Sequence, residues 1–436
     1  MRILLIQPSQ LVGNGRIYKA QKLMFPSLSL PVLASLTPQD YQVAIVDEAL
    51  EEIPFDDPAD LIGLSIMTPQ APRAYQIGEE FKKRGKKVVM GGIHASSLPE
   101  EALQHSDAVV VGEAEGIWPQ VLEDHRRGKM RGIYQLSQFP SLANLPLPRF
   151  DLLKKDRYRL FNMNFPIQAG RGCPMQCEFC SATKIFGNQY RWRPTEDVIQ
   201  NIQQFRVNKI FFVDDNIVGN RSYARDLFLA LTPLRLRWAG QGCLNLGKDK
   251  EILKLAAESG CGLLYIGVES ILTSNLQSYR KAPLSPGEIL DCFAQFRKQG
   301  ILIRASIIFG LENDDPGVFQ RTVDFLIQEK AAYATFNILA PMPGTQVRKK
   351  LEEEGRITDY DWSNYDGLHA VFTPRNMSKE QLEKGLWSAY ERFYSLPSII
   401  RRILGMENRK EMIRIFFSNL IYMRIIAKRR HLLFGE

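Results

Sequence analysis

Three thiols carry the first chemistry that this sequence suggests. Cys173, Cys177 and Cys180 fall within the stretch CPMQCEFC, in a chain of 436 residues that holds six cysteines. Thiolates are soft ligands that select zinc or iron–sulfur clusters. Structural zinc takes four ligands, commonly as two tight pairs. No second pair exists here: Cys243, Cys261 and Cys292 stand singly, and the five histidines are scattered. Folding could bring Cys243 close, which leaves zinc open. An iron–sulfur cubane normally takes four cysteines, so three ligands at C-x3-C-x2-C leave one iron without a protein ligand. Such a position is where a substrate or cofactor can coordinate.

The elements that must position these thiols alternate between strand and helix. FPIQAGRG reads as a strand leading into the cysteine loop. NKIFFVDDNIVGN, LRWAGQGCLN, CGLLYIGVES, ILIRASIIFGLEND and ATFNILAPMPGT follow as strands, with helical stretches such as PTEDVIQNIQQF and KEILKLAAESG between them. Six strands in a β/α repeat predict a barrel, complete or open, whose working groups sit at the carboxyl ends of the strands. By strand alternation Tyr265, Arg304 and Tyr333 either point into the barrel or pack against its helices.

An earlier series precedes the barrel. RILLIQP, YQVAIVDEA, ADLIGLSIMTP, KKVVMGGIHAS and DAVVVGEAEG are apolar runs, and RAYQIGEEFKKRG has helical period and closes at Gly85. This alternation predicts a doubly wound parallel sheet with helices on both faces. Ligands of such sheets bind beyond the carboxyl ends of the strands. Ser9, Ser65, Thr68, Gly91, Gly92, His94, Gly112 and Glu113 stand there. The pattern is not GxGxxG, which argues against a nicotinamide cofactor. The proline-rich YQLSQFPSLANLPLPRFDLL lacks periodicity and reads as a linker. Helical patterns return in SKEQLEKGLWSAYERFYSL and RKEMIRIFFSNLIYMRIIAKRR. The expected class is therefore α/β. A sheet domain over 1–135 leads through a linker over 136–160 to a partial (β/α)6 barrel over 161–350, and a helical extension covers 351–436.

Composition bounds the class further. Apolar residues make up 45% of the chain, enough for one or more cores. ILLI, behind Met1 and Arg2, is too short for the core of a signal peptide, and no apolar run reaches the roughly 18 residues of a spanning helix. A cytoplasmic protein is expected. The net charge is +8, and residues 397–436 alone hold nine Lys/Arg against three acids. A uniformly basic nucleic-acid binder would look different, so no nucleic-acid partner is expected.

C-x3-C-x2-C behind the first strand of a β/α series, with Phe179 directly before the third cysteine, resembles the radical S-adenosylmethionine superfamily. The resemblance implies that Cys173, Cys177 and Cys180 hold a [4Fe–4S] cluster whose open iron chelates S-adenosylmethionine. An electron from the cluster then cleaves the sulfonium and yields a 5′-deoxyadenosyl radical. A donor such as flavodoxin or ferredoxin is implied as well. FFVDDN resembles the segment that meets the methionine ammonium, with Asp214 and Asp215 as acceptors. GVES resembles the fourth-strand segment, with Glu269 and Ser270 facing ribose or methionine. IIFGLEND and LAPMPGT resemble the strands that cradle adenine; Asn245 and the acids of GLEND are further candidates. Read alone, Asp-Asp-Asn also suits a helix cap and Pro-Gly a turn.

The first domain resembles the cobalamin-binding domain of one large subfamily, mainly through GGIHASSLPEEALQHSDAVVVGEAE. Domains of the methionine-synthase kind carry Asp-x-His-x-x-Gly after the first strand, and that histidine ligates cobalt. Here the loop reads QPSQLVGNG, and His94 follows a different strand. Cobalamin is implied, with its lower ligand not supplied in that manner. Cobalamin beside a radical implies methyl transfer to an unactivated carbon. Other members rearrange, cyclise or couple carbon centres, and tRNA-modifying relatives usually add a basic RNA-binding module that is not seen here. The helical extension resembles that of members which include hopanoid lipid methylases, implying a small-molecule substrate that is hydrophobic or lipid-like. MIRIFFSNLIYMRIIAKRRHLLF is interrupted by Arg414 and Arg424 and ends in Lys428, Arg429 and Arg430. It reads either as a peripheral contact with the inner membrane face or as a helix packed on the barrel with a basic outer side.

Overall fold

The structure is a computed structural model that describes residues 1–13, 15–23, 25–158, 165–281, 284–404 and 408–427. Its first sheet comprises β1 (Arg2–Gln7), β2 (Gln42–Asp47), β3 (Leu61–Ser65), β4 (Lys87–Gly91), β5 (Ala108–Val111) and β6 (Gly132–Gln135), in spatial order β2-β1-β3-β4-β5-β6. Every pairing is parallel. Alternate residues of β1 serve opposite faces. Ile3 and Leu5 pack with Leu30, Ala34, Trp118 and Val121, whereas Leu4 and Ile6 pack with Ala74, Ile77 and Phe81. The sheet is thus wound on both faces, as the continuous apolar runs imply. The sequence pattern misses β6, whose GIYQ buries only Tyr134 and shows no apolar run.

The second sheet comprises β7 (Phe165–Ile167), β8 (Lys209–Phe212), β9 (Arg237–Cys243), β10 (Cys261–Glu269), β11 (Leu302–Phe309) and β12 (Tyr333–Ile338), paired in sequential order and all parallel. The edge strands β7 and β12 do not pair with each other. The barrel is therefore partial. Its helices, among them Thr195–Phe205, Lys250–Glu258 and Val318–Gln328, cover one face through Val198, Ile252 and Val323 against Ile210, Leu264 and Ala334. The inner face carries Phe211, Tyr265, Arg304 and Tyr333; Arg304 stands in register with Tyr265 and Tyr333 on its two neighbours.

An open sheet leaves a strand edge that must be covered. Here the helical extension covers it. Tyr390 lies on the helix Lys379–Phe393, which opens with a reciprocal cap between Ser378 and Gln381. Its hydroxyl takes the Phe336 N–H at 3.0 Å and donates to the Phe336 carbonyl at 2.7 Å. The Tyr394 hydroxyl does the same for Ala334, at 3.1 and 2.7 Å. Buried Arg402 then ties the helices Leu396–Ile403 and Arg409–Ala427 to the start of β12, donating to the carbonyls of Ala331, Ala332 and Phe393 and to Asn419 Oδ1. The last of these helices packs through Ile415, Asn419 and Ile426. Its outer side is apolar as well as basic, with Ile413, Phe417 and Ile421 exposed by 52%, 60% and 50%. No described helix is long and apolar enough to cross a membrane. Lys428, Arg429 and Arg430 lie outside the described residues.

Candidate functional site

β7 delivers the chain into a short hairpin, Gly170–Arg171 against Arg191–Trp192, which clamps both ends of the cysteine loop. Gly172 opens the loop at φ +83°, and a Cβ there would collide with the carbonyl of Gln189. Only glycine fits. The loop then folds back so that the Cys180 N–H donates to the Cys177 carbonyl at 3.0 Å. Asp-Asp-Asn, beyond the end of β8, anchors this loop from below. Asp214 accepts the Ala169 N–H at 3.0 Å, the Gly170 N–H and the Tyr190 hydroxyl at 2.9 Å. Asp215 accepts the Gly172 N–H at 3.3 Å, and the Asn216 amide meets Cys173 Sγ at 3.8 Å. The carboxylate of Asp214 is thus fully engaged in holding the loop.

Burial raises the Cys173 thiol and pushes Cys177 to about 11, with the Lys281 ammonium pulling Cys177 the other way. A bound cation reverses this and draws thiols to thiolates. Cys243 ends β9 and lines a cavity of about 10 Å³ with Met175, Asn245, Gly267 and Lys281. It does not complete a mononuclear site: among the described residues no three His, Cys, Asp or Glu side chains are placed to hold a single metal ion. Three thiols in one short loop, with no fourth cysteine among them, fit a cluster with one iron left for another ligand.

That cavity is bordered by an ion pair. Lys281 Nζ lies 3.0 Å from Glu269 Oε1, both largely buried. Burial pulls the ammonium of Lys281 down, but Glu269 and the neighbouring thiols outweigh it and hold the pKa above the ordinary lysine value. Glu269 occupies the left-handed region at φ +62°, a strained conformation typical of functional positions. Gly267 makes room for it, since a Cβ there would strike the Glu269 carboxylate. One ammonium on the cavity wall and its partner carboxylate behind it complement the carboxylate and ammonium of an amino-acid ligand.

The neighbouring candidates do other work. Ser270 Oγ accepts from Leu272 N at 3.1 Å and Asn275 Nδ2 at 3.2 Å, closing the turn after β10. Phe179 packs against Tyr279 at 6.1 Å and holds the loop sideways. In GLEND, Asp314 accepts Gly310 N and Leu311 N, and Glu312 joins Lys350, Arg356 and Arg375.

At the first sheet the carboxyl ends form a cradle. Gly92 adopts φ +94°, and a Cβ there would stand 2.6 Å from Ile66 N, so the backbone approaches as only glycine allows. Gly112, at φ +81°, faces open space. Gly91 and Ser65 are half-buried beside them, with Ser65 Oγ 2.8 Å from Ser29 Oγ. Thr68 is buried at the start of the following turn. These small residues leave room for a flat cofactor. Ser9 offers no ligand: its hydroxyl donates to the Tyr18 carbonyl at 2.6 Å. His94 is fully buried elsewhere, 3.0 Å from the Tyr75 hydroxyl and edge-on to Trp362. The cradle fits a cobalamin that takes no imidazole from the first loop.

Glu113 has a different part from its neighbours. It is buried and pairs with Arg171 at 2.7 Å and with Arg191, while Arg171 also reaches Glu115. Four charges thus join the end of β5 to the hairpin that carries the thiols. The pattern of the sequence showed none of Arg171, Arg191, Glu115, Asn216 or Lys281. Asn216 adjoins a recognised pair of acids and was within reach; the others have no local signature.

Comparison with known proteins follows the same division. The B12 binding domain model matches residues 33–122, and the Radical SAM superfamily model matches residues 167–326. Bacteriochlorophyllide d C-12(1)-methyltransferase of Chlorobaculum tepidum is 30% identical over 98% of this chain and 93% of its own length. Hopanoid C-2 methylase of Rhodopseudomonas palustris is 28% identical over 84% of this chain and 73% of its own. Among solved structures, the methyltransferase TsrM from Kitasatospora setae, with cobalamin and a [4Fe-4S] cluster bound, superposes at a TM-score of 0.69, with 14% identity over 98% of this chain and 99% of that one. The chain belongs to the radical S-adenosylmethionine superfamily, in the branch of enzymes that join a B12-binding domain to the radical domain.

Proposed function

We propose that this enzyme transfers a methyl group to an unactivated carbon of a hydrophobic, lipid-like substrate. The observation that carries the reading is the buried ion cluster of Glu113, Arg171, Arg191 and Glu115, which sets the cobalamin cradle against the thiol loop. By their names, the two curated relatives above methylate carbon positions of a bacteriochlorophyllide and of a hopanoid. When bound, the cluster and S-adenosylmethionine supply one-electron radical chemistry, and cobalamin supplies the methyl carrier.

The residues divide the remaining work. Cys173, Cys177 and Cys180 hold the cluster. Glu269 and Lys281 orient the amino-acid part of S-adenosylmethionine. Gly91, Gly92, Gly112 and Ser65 hold the cobalamin, and the ion cluster keeps the two sites at a fixed separation. Asp214, Asp215 and Asn216 keep the thiol loop in shape. A flavodoxin or ferredoxin delivers the electron, and the outer face of the last helix lets the enzyme take its substrate at an anionic membrane surface.

The test is anaerobic incubation of the reconstituted enzyme with a lipid extract and deuterated-methyl S-adenosylmethionine. Mass spectrometry should find label in an apolar product, and Cys177→Ala should abolish both product and 5′-deoxyadenosine. Release of 5′-deoxyadenosine by the wild type with no label in any product would leave a radical enzyme of another outcome.

A further inference from the structure

We propose that Arg304 is the receptor for a carboxylate on the substrate, an inference that rests on the hydrophobic-substrate reading and sharpens it. Arg304 projects from the inner face of β11 and is only 4% exposed. Its guanidinium sits 5.0 Å from the ring of Tyr265 and 4.9 Å from those of Tyr333 and Tyr422. No carboxylate pairs with it among the described residues. Its Nη2 donates to the Tyr422 hydroxyl, and its Nε is buried without any hydrogen-bond partner.

Buried Arg193 shares an unpartnered Nε but spends its two Nη groups on the Gln168 carbonyl and Asn201 Oδ1, and two further buried arginines are fully supplied. Arg171 has two carboxylates, and Arg402 has three carbonyls and an amide oxygen. A buried charge left short of partners is costly unless something supplies them. Nε and Nη2 form the side-on edge of the guanidinium, the edge that matches the two oxygens of a carboxylate. In this structure Tyr422 holds one position of that edge and the other is vacant. A carboxylate would fill both and displace the tyrosine hydroxyl.

The surroundings suit the rest of such a molecule. Phe25, Phe211 and Tyr265 form an aromatic wall on the same face, with centroids 5.5 and 5.4 Å apart. Thr335 lies two residues beyond Tyr333 on β12 and is buried with its hydroxyl also unpartnered, so a second donor stands near the first. The inner face thus offers an aromatic surface of tilted rings with a bidentate anion site at one end.

The probe is 1-pyrenebutyrate, a flat apolar body with one carboxylate, compared with its methyl ester by fluorescence titration of the holoenzyme. The acid should bind the wild type about tenfold more tightly than the ester, as one bidentate charge-assisted contact allows. Arg304→Gln should bring the acid to the level of the ester and leave the ester unchanged, which also reports an intact fold. Tyr422→Phe keeps the buried charge and frees the edge, so it should tighten the acid alone. Equal binding of acid and ester by the wild type overturns the proposal, as does a preference that survives Arg304→Gln, or no gain for the acid with Tyr422→Phe. None of these readings needs turnover, so a failed methyl-transfer assay is a separate result.

Discussion

Asp214 meets three donors and is almost wholly buried. Its hydrogen bonds to Ala169 N, Gly170 N and Tyr190 favour the carboxylate, yet burial outweighs them and pushes its pKa to about 7. The folded value lies above the unfolded one, so the fold prefers the protonated acid. The stability from that preference is fully present below about pH 4 and is lost as pH rises through about 7. Asp214→Asn removes the titration. Urea denaturation of the apo-protein should show the wild type losing stability between about pH 4 and 7 relative to the variant. Parallel curves would mean that Asp214 stays ionised throughout. The same residue also shows what a loop of three thiols needs: a rigid floor of backbone N–H groups gathered on one side chain.

At the scale of elements, the hairpin that clamps the cysteine loop is too short to fix itself, since it pairs only Gly170 with Trp192 and Arg171 with Arg191. The ion cluster supplies what it lacks. Removing one partner of a buried pair leaves the other charged and desolvated, which costs about 3–5 kcal/mol, whereas replacing both with apolar groups often costs far less. Glu113→Ala should therefore destabilise by roughly that amount and speed alkylation of Cys173 and Cys180 in the apo-protein. Replacing the whole cluster, Glu113→Met and Glu115→Met with Arg171→Met and Arg191→Met, should recover part of the stability. Alkylation at wild-type rates in Glu113→Ala would show that the loop holds its shape without the first domain.

At the scale of the whole molecule, the extension does two things with opposite sides. Its inner side seals the edge of β12 through Tyr390 and Tyr394 and covers Arg304 with Tyr422. Its outer side shows Leu396 and Ile400 on one helix, Leu404 just past its end, and Ile413, Phe417 and Ile421 on the next helix, each series spaced by four. Arg409, Lys410, Arg414 and Arg424 are exposed on the second helix. An apolar stripe flanked by cations suits an anionic interface, where buried apolar area and lipid charge act together. Full-length protein should sediment with phosphatidylglycerol vesicles and release in high salt. Ile413→Asp with Phe417→Asp should reduce the bound fraction severalfold, since each loses about 1.5–3 kcal/mol of apolar burial. Unchanged sedimentation would show that this face does not anchor the enzyme.

The sequence by itself determined the thiol trio, the succession of the strands along the chain except β6, and the helical character of the extension. Each is a local matter: ligands within one loop, apolar runs of strand length, helical period. Gly92 stood in the sequence only as one of the small residues at the strand ends, and the backbone need for glycine there and at Gly172 came from the structure. The roles of individual site residues were not. Glu113 stood with Gly112 among small residues at a strand end, yet its partner Arg171 lies 58 residues away. Asp214 and Asp215 were expected beside a ligand, and the fold has them carrying the loop. Lys281 faces Glu269 across 12 residues with no motif between them. Pairings of buried charges depend on where two elements come to rest, and only the tertiary structure, by excluding water from between them, decides which charges must meet.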